Sequence, residues 1–352
     1  MPVTLPEIEI AGRRIGAGHE PYVICELSGN HNGSLERALT MVDAAAATGC
    51  DAIKIQSYTA DTITMDVDRP EFRIHGGLWD GRSLYELYQE AQTPFEWHAA
   101  IFERAHQRGV TIFSSPFDET AVDLLEGLGA PAYKIASFEA VDLPLIRYAA
   151  SKSKPLIIST GMANLSEIET ARKAALDAGA AGVVLLHCVS SYPAAMEDAN
   201  VRNVADMAAR FESPIGLSDH THGSAASVAA IAMGASVIEK HFTLARSDGG
   251  PDAAFSLEPA EFANLVRDCK EAWKALGRVH YDVLGSERGS LLFRRSLYVS
   301  RDVKAGEVIS RDNVRSIRPG NGLAPAHLDE VLGRPAARDL ARGEPLAWDM
   351  LG

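Results

Sequence analysis

Eight short apolar runs recur along the first two thirds of the chain, and helical patterns separate most of them. The runs are Tyr22–Cys25, Ala52–Ile55, Val110–Phe113, Ala132–Ile135, Leu156–Ile158, Val183–Leu186, Ile215–Leu217 and Val237–Ile238. They are continuous rather than alternating, as expected for parallel strands that are covered on both faces. Eight strand–helix repeats favour a closed barrel over an open sheet. The sequence therefore predicts an α/β fold, a (β/α)8 TIM barrel.

Two segments depart from this repeat. Residues 57–93 form a long insertion after the second predicted strand, which carries Tyr58, Trp79, Tyr85 and Tyr88. A loop of that length on the catalytic face of a barrel is usually a lid or a substrate wall. After residue 285 the pattern changes to short strand and turn signals, beginning with Ser296–Ser300. We expect a barrel domain over residues 1–285 and a separate, small β-rich domain over residues 291–352.

Composition and charge narrow the classes of protein to consider. No uncharged apolar run approaches the length of a membrane span, and Met1–Gly16 lacks the apolar core of a signal peptide. The four cysteines are far apart and form no C-x-x-C pair, which favours a reducing cytoplasmic setting. The net charge is −13, with −15 in residues 1–285 and +2 in residues 286–352. An acidic body repels nucleic acid and anionic membranes, so we expect neither as a partner.

Two histidines, His220 and His241, each follow one of the last two predicted strands. The carboxyl ends of neighbouring parallel strands meet at one rim of the barrel, where such folds assemble their active sites. Two adjacent imidazoles there suggest a divalent metal with coordination positions left for substrate. The alternative is that one histidine bonds a loop carbonyl while the other only packs.

Many other polar side chains fall at or just beyond the predicted strand ends. Lys54 and Lys134 are flanked by apolar residues, and a buried lysine is costly unless an anion or a carboxylate neutralises it. Serines near these lysines would bind a phosphate or carboxylate group through charge-assisted hydrogen bonds. A strand-end lysine also has a rival use, Schiff-base formation with a carbonyl substrate, which would make the chain a class I aldolase or lyase.

Six motifs in order along the chain resemble the sialic acid synthase family, enzymes that condense phosphoenolpyruvate with an amino-sugar aldehyde. The motifs are Ile24–Gly33, Ala132–Glu139, Ser159–Met162, Gly216–Thr221, Glu239–Thr243 and Gly250–Asp252. The resemblance runs from about residue 20 to the last residue. Residues 291–352 look like the antifreeze-like (SAF) domain of that family, with Arg318-Pro319-Gly320-Asn321-Gly322 as its marker.

Local variants resemble one branch of this family more than the others. The first motif reads E-L-S-G-N-H-N-G, and the second strand leads into Gln56-Ser57-Tyr58-Thr59. Ser190 stands where N-acetylneuraminate synthases typically carry asparagine, and a hydroxyl is shorter than an amide. These features are similar to the pseudaminic acid synthases, which use 2,4-diacetamido-2,4,6-trideoxy-L-altrose. Neuraminate and legionaminate synthases are the alternatives within the family.

The resemblance implies a transferase and a role for each motif residue. It implies that His220 and His241 hold Mn2+ or Mg2+. It implies catalytic roles for Glu26, Lys54, Lys134 and Glu139, of which Glu26 would orient sugar or water and Glu139 would assist proton transfer. It implies substrate contacts from Gln56, Ser115, Ser137, Ser159, Ser190, Tyr192, Ser218, Asp252 and Arg318. Arg318 would act from the partner subunit of a domain-swapped homodimer. A non-catalytic binding module is the alternative, in which these side chains would be incidental.

Overall fold

The computed structural model describes residues 6–352, and within them the barrel is closed. An antiparallel hairpin precedes it, formed by β1 (Glu7–Ile10) and β2 (Arg13–Gly16). The barrel strands are β3 (Tyr22–Glu26), β4 (Ala52–Ser57), β5 (Thr111–Pro116), β6 (Tyr133–Ile135), β7 (Leu156–Ser159), β8 (Val183–Cys188), β9 (Ile215–Asp219) and β10 (Val237–His241). They run parallel in sequence order, and β10 pairs with β3 to complete the ring. The predicted fold is confirmed.

Helices surround this barrel and occupy most of its connections. They are α1 (Leu35–Ala47), α2 (Ala60–Ile63), α3 (Leu84–Ala91), α4 (His98–Gln107), α5 (Glu119–Gly127), α6 (Leu143–Ala150), α7 (Leu165–Asp177), α8 (Arg202–Arg210), α9 (Ala225–Ala232) and α10 (Pro259–Leu276). Within the insertion, α2 and α3 are short and a turn at residues 74–82 lies between them. Ser34 caps α1, since its hydroxyl accepts a hydrogen bond from the backbone of Arg37.

Most barrel strands extend one to three residues beyond the apolar run that predicted them. β10, for example, continues from Ile238 through Glu239 and Lys240 to His241. The apolar pattern ends early because polar side chains line the lumen at this end, while the backbone ladder continues. Glu26, Lys54, Lys134 and His241 are therefore held on strands, whereas His220 directly follows the end of β9.

The opposite end of the lumen is apolar. Ile10 and Ile15 of the hairpin are almost fully buried and pack with Tyr22, Ile24 and Phe113 of the barrel. This hairpin has no counterpart among the strands predicted from the sequence. Its apolar side chains fill the amino-terminal end of the lumen, so only the carboxyl end is polar.

The chain divides into two compact units, Met1–Gly277 and Arg278–Gly352. The sequence placed the end of the barrel domain at residue 285, whereas α10 ends at Leu276 and the division follows Gly277. The second unit contains β11 (Ser296–Val299) paired antiparallel with β12 (Val314–Ile317), and the short helix α11 (Leu328–Val331). Its core is a separate small cluster that includes Leu297, Val314 and Leu346.

No helix within residues 6–352 is both long enough and apolar enough to cross a membrane.

Candidate active site

Two oppositely charged side chains, Glu26 and Lys54, lie side by side in the polar end of the lumen. They belong to the neighbouring strands β3 and β4, whose register pairs them directly. Lys54 Nζ lies 2.6 Å from Glu26 Oε2 and donates to Ser115 Oγ at 3.1 Å. Gln56 Nε2 donates to the other carboxylate oxygen of Glu26 at 2.9 Å. A carboxylate of the chain itself therefore neutralises Lys54.

A second buried carboxylate, Glu239, lies between the two lysines of the lumen. Its Oε1 is 3.5 Å from Lys54 Nζ and 3.7 Å from Lys134 Nζ, and it accepts a hydrogen bond from Ser218 Oγ at 3.4 Å. Glu239 was not among the site residues predicted from the sequence. The alternation of side chains along a strand could have identified it, because residues 239 and 241 of one strand must face the same side and His241 was already assigned to the site.

The surrounding charges give the two lysines different proton affinities. Burial alone would lower the pKa of Lys54, but Glu239 and Glu26 hold it above its usual range. Burial lowers the pKa of Lys134, because the attraction of Glu239 only partly offsets it. Lys134 is thus the less compensated cation, and it gains more from a bound anion.

Several hydroxyl groups lie at the same end of the barrel as the two lysines. Ser159 Oγ is buried and has no hydrogen-bond partner among the described residues, which leaves it free to bind a ligand. Ser137 Oγ accepts a hydrogen bond from the backbone of Gly161 at 3.1 Å. A Cβ atom at Gly161 would lie 2.8 Å from Ser137 Oγ and would overlap Ser190 Oγ. The glycine therefore allows these two hydroxyls to approach each other at the edge of the lumen.

His220 and His241 lie next to each other above the lysines, with ring centroids 5.3 Å apart. His220 Nδ1 lies 2.9 Å from the carbonyl of Val189, so this nitrogen donates a hydrogen bond and Nε2 is the nitrogen that could bind a metal when the ring is neutral. His241 Nδ1 is buried without a hydrogen-bond partner in residues 6–352, and Asp252 Oδ2 is 3.8 Å away.

The chemistry of this pair fits a divalent metal. Burial, reinforced by the positive charge of neighbouring lysines such as Lys54, holds the pKa of His241 well below its usual range, so the ring is neutral as a metal ligand must be. Burial also acts to lower the pKa of His220, but Cys188 raises it above its usual range, so a metal bound at this ring would displace a proton from it. No cluster of three or more His, Cys, Asp and Glu side chains in residues 6–352 is arranged to hold a metal. The chain therefore offers two imidazoles, and further ligands would be water or substrate.

Three more of the predicted site residues lie beside the histidines or near Lys134. Tyr192 packs on His220 with ring centroids 4.4 Å apart. Burial raises the pKa of Asp252 to about 6. Burial raises the pKa of Glu139 to about 7, and the carboxylate oxygen Oε2 of this residue has no partner in the described part of the chain. A carboxyl group with a pKa near neutrality can both give and take a proton.

Arg318 belongs to the second unit, where it follows β12 and is exposed. Ser296 Oγ donates to the carbonyl of the next residue, Pro319, at 2.7 Å. This bond ties the loop that carries Arg318 to β11.

Lys240 precedes His241 in β10, but its side chain leaves the lumen. Its Nζ lies 2.9 Å from Asp219 Oδ2 and donates to the carbonyl of Thr221 at 2.6 Å. Asp219 also accepts hydrogen bonds from Thr221 and from Ser227 of α9. Because one partner is on a helix, this ion pair lies between the strands and the helical layer. It joins the two strand ends that carry the histidines.

Besides Glu26, the first motif supplies Asn30, which connects two loops beside the site. Asn30 Nδ2 donates to the carbonyl of Phe242 and to Ser256 Oγ, both at 2.9 Å. Asn30 Oδ1 accepts from the backbone of Asp252 at 3.3 Å. This buried amide therefore connects the loop after β3 to the loop after β10, and it helps to position Asp252.

Family models match both parts of the chain, the NeuB family over residues 41–281 and the SAF domain over residues 294–352. The chain belongs to the NeuB family. The family and the SAF domain recognised in the sequence are thereby confirmed, and so is the prediction of an enzyme.

Named relatives span nearly the whole chain. A pseudaminic acid synthase of Campylobacter jejuni is 44% identical over 92% of this chain and 95% of its own length. An N,N'-diacetyllegionaminic acid synthase of Legionella pneumophila is 36% identical over 95% of each chain. Among solved structures, the N-acetylneuraminic acid synthetase of Leptospira borgpetersenii in complex with citrate has a TM-score of 0.73 and 33% identity, covering 81% of this chain and 95% of that one.

Proposed function

We propose that this protein is a pseudaminic acid synthase that condenses phosphoenolpyruvate with 2,4-diacetamido-2,4,6-trideoxy-L-altrose. The observation that carries the proposal is the 44% identity to a named pseudaminic acid synthase over 92% of the chain. The lumen supports it with buried lysines and hydroxyls for an anion and with paired imidazoles for a metal. In the reaction, C3 of phosphoenolpyruvate bonds to the aldehyde carbon and the aldehyde oxygen gains a proton. Water adds at C2, and phosphate leaves with cleavage of the C–O bond.

Phosphoenolpyruvate would bind at the lysines. Lys134 and Lys54 would neutralise its carboxylate and phosphate groups. The hydroxyls that would donate to its oxygens are those of Ser115, Ser137, Ser159, Ser190 and Ser218. Ser159 has the strongest support, because its buried hydroxyl has no partner within residues 6–352.

The sugar would bind above, beside the histidines. His220 and His241 would hold Mn2+ or Mg2+, which when bound supplies Lewis-acid polarisation of a carbonyl group. Tyr192 and Asp252 would contact hydroxyl or acetamido groups of the sugar. Gln56 would act through Glu26, which its amide nitrogen contacts at 2.9 Å.

The two catalytic carboxylates would have different tasks. Glu26 is ion-paired with Lys54 and accepts a hydrogen bond from the backbone of Ser28 at 3.1 Å, so it is held in one position to orient sugar or water. Glu139 has a pKa of about 7 because it is buried, and would exchange a proton with the reacting groups.

We further propose a cytoplasmic, domain-swapped homodimer in which Arg318 contacts the sugar at the partner subunit's barrel. Its guanidinium suits a carbonyl or hydroxyl group, and the loop that carries it is stiffened by proline. The acidity of residues 1–285 favours docking of the slightly basic residues 286–352.

The test is phosphate release from phosphoenolpyruvate with a panel of sugars. The diacetamido trideoxy altrose should release phosphate at a higher kcat/KM than N-acetylmannosamine or the legionaminate precursor. With 18O in the bridging position of phosphoenolpyruvate, C–O cleavage should place the label in phosphate. Preferential use of another sugar would reassign the branch. A borohydride-trapped pyruvate adduct on Lys54 or Lys134 would favour the Schiff-base lyase instead.

A further inference from the structure

The side chain of Trp79 connects the insertion to the loop after β10. The turn that carries it is closed by its own backbone, because Ile74 donates to the carbonyl of Arg82 at 2.9 Å. Trp79 Nε1 donates to the carbonyl of Pro251 at 3.0 Å. Pro251 directly precedes Asp252, so this hydrogen bond connects the tip of the insertion to the loop that bears a candidate sugar-binding residue.

Trp79 extends an aromatic surface that begins at the histidines. Tyr192 lies 4.4 Å from His220 and 5.9 Å from Trp79, measured between ring centroids. Phe255 lies 5.3 Å from Tyr192 and 4.9 Å from His241. The order of the rings leads from the imidazoles through Tyr192 to Trp79. A sugar whose aldehyde lies at the imidazoles would therefore direct its opposite end towards Trp79.

The indole presents only carbon and π surface to such a ligand. Its single donor, the Nε1–H group, is already bonded to Pro251, and tryptophan has no side-chain acceptor. A methyl group packed there gives up no hydrogen bond. A hydroxyl group placed there gives up its hydrogen bonds to water and gains none from the protein. This surface therefore distinguishes a deoxygenated chain end from a hydroxymethyl end.

We propose that Trp79 is a specificity-determining residue, whose ring selects amino sugars that end in a methyl group over those that end in a hydroxymethyl group. The inference rests on the proposed function, since it takes an open-chain amino sugar as the ligand. Apolar surfaces reject an added hydroxyl by on the order of 10- to 100-fold, which sets the scale of the expected preference.

The experiment compares two substrates that differ only at C6, the 2,4-diacetamido-2,4,6-trideoxy sugar and its 6-hydroxy counterpart. Wild-type protein should favour the 6-deoxy sugar in kcat/KM. Trp79→Ala should reduce that preference to within about 3-fold, mainly through the KM of the 6-deoxy sugar, with an unchanged KM for phosphoenolpyruvate. Trp79→Phe keeps an apolar ring but removes the donor to Pro251, and should retain a reduced preference.

The matched control is Leu78→Ala, which removes an exposed apolar side chain from the same turn and should leave the preference intact. Thermal unfolding of each variant separates loss of fold from loss of selectivity. If Trp79→Ala is folded and keeps the wild-type preference, the assignment of Trp79 is overturned while the proposed function stands. If wild-type protein releases no phosphate with either sugar, the proposed function and this inference are both overturned.

Discussion

Removing the charge of Lys240 should destabilise the barrel strongly, although this residue is outside the lumen. Lys240 and Asp219 are fully buried, and their charged atoms are 2.9 Å apart. Lys240→Met keeps most of the side-chain volume but leaves Asp219 without a cation. Breaking a buried pair in this way costs about 3 to 5 kcal/mol, because the remaining charge is neither solvated nor paired.

The structure places the expected cost towards the lower end of that range. Asp219 keeps hydrogen bonds from the hydroxyls of Thr221 and Ser227, at 2.7 and 2.6 Å, and these continue to stabilise its charge. We therefore expect Lys240→Met to lower the free energy of unfolding by about 3 kcal/mol. Asp219→Asn combined with Lys240→Met should cost less than the sum of the two single changes, since neither lone charge then remains.

Urea-induced unfolding followed by tryptophan fluorescence measures these differences. The matched control is the exposed pair Lys173 and Asp177, whose charged atoms are only 2.6 Å apart in α7. Lys173→Met should cost below about 0.5 kcal/mol, because exposed helix pairs contribute little. If Lys240→Met costs no more than Lys173→Met, the reasoning that burial decides the strength of this pair is refuted.

The remaining predictions concern the lumen and the second domain. Lys134→Met should raise the KM for phosphoenolpyruvate far more than the KM for the sugar, because about 2 to 4 kcal/mol of binding free energy for the anion is lost. Equal effects on both KM values would contradict an anion site at Lys134. Glu139→Gln should flatten the pH dependence of stability: burial raises this pKa from 4.5 to about 7, so the wild type loses stability as the pH rises through that window and the variant does not. The difference should reach roughly 2 to 3 kcal/mol at pH 8, and parallel urea-unfolding curves from pH 5 to 8 would disprove it. His241→Ala should abolish Mn2+ binding measured by calorimetry while leaving the fold intact, and full activity of chelator-treated wild type would exclude the metal site. A mixture of inactive His241→Ala and Arg318→Ala chains should regain activity on subunit exchange if Arg318 acts in trans, because one site of the hybrid dimer is then intact; hybrids that stay inactive would exclude the swapped arrangement.

The fold was accessible from the sequence because parallel barrel strands are buried on both faces and therefore stand out as apolar runs. The hairpin of β1 and β2 was missed because its strands are not continuous apolar runs. Its strands are short and alternate charged with apolar residues, as in Glu7-Ile8-Glu9-Ile10, and only packing against Tyr22 and Phe113 shows where the apolar side chains go. The contact with Phe113 joins residues about a hundred positions apart, so no local pattern predicts it.

The polar residues of the site could be predicted from their positions at strand ends, but the residues that they contact could not be predicted. Glu239 and Lys240 are adjacent in the sequence, yet one contacts the lumen lysines while the other pairs with Asp219 on the outer side. Because side chains alternate between the two faces of a strand, the sequence predicts that these two residues point in opposite directions, but it does not predict which residues they contact. The contact of Trp79 with Pro251 spans 172 positions and had no sequence signal beyond the length of the insertion.

From the sequence, either an anion or a carboxylate was expected to neutralise the lumen lysines, and the two lysines differ in this respect. Lys54 already contacts Glu26 at 2.6 Å and Glu239 at 3.5 Å, so an incoming anion must share it with two carboxylates. Lys134 has one carboxylate, at 3.7 Å, and burial keeps its pKa below the usual range. An anion bound at Lys134 would raise that pKa and relieve the cost of the buried charge, a gain that Lys54 has already obtained within the chain. The electrostatic affinity for phosphoenolpyruvate should therefore depend more on Lys134 than on Lys54.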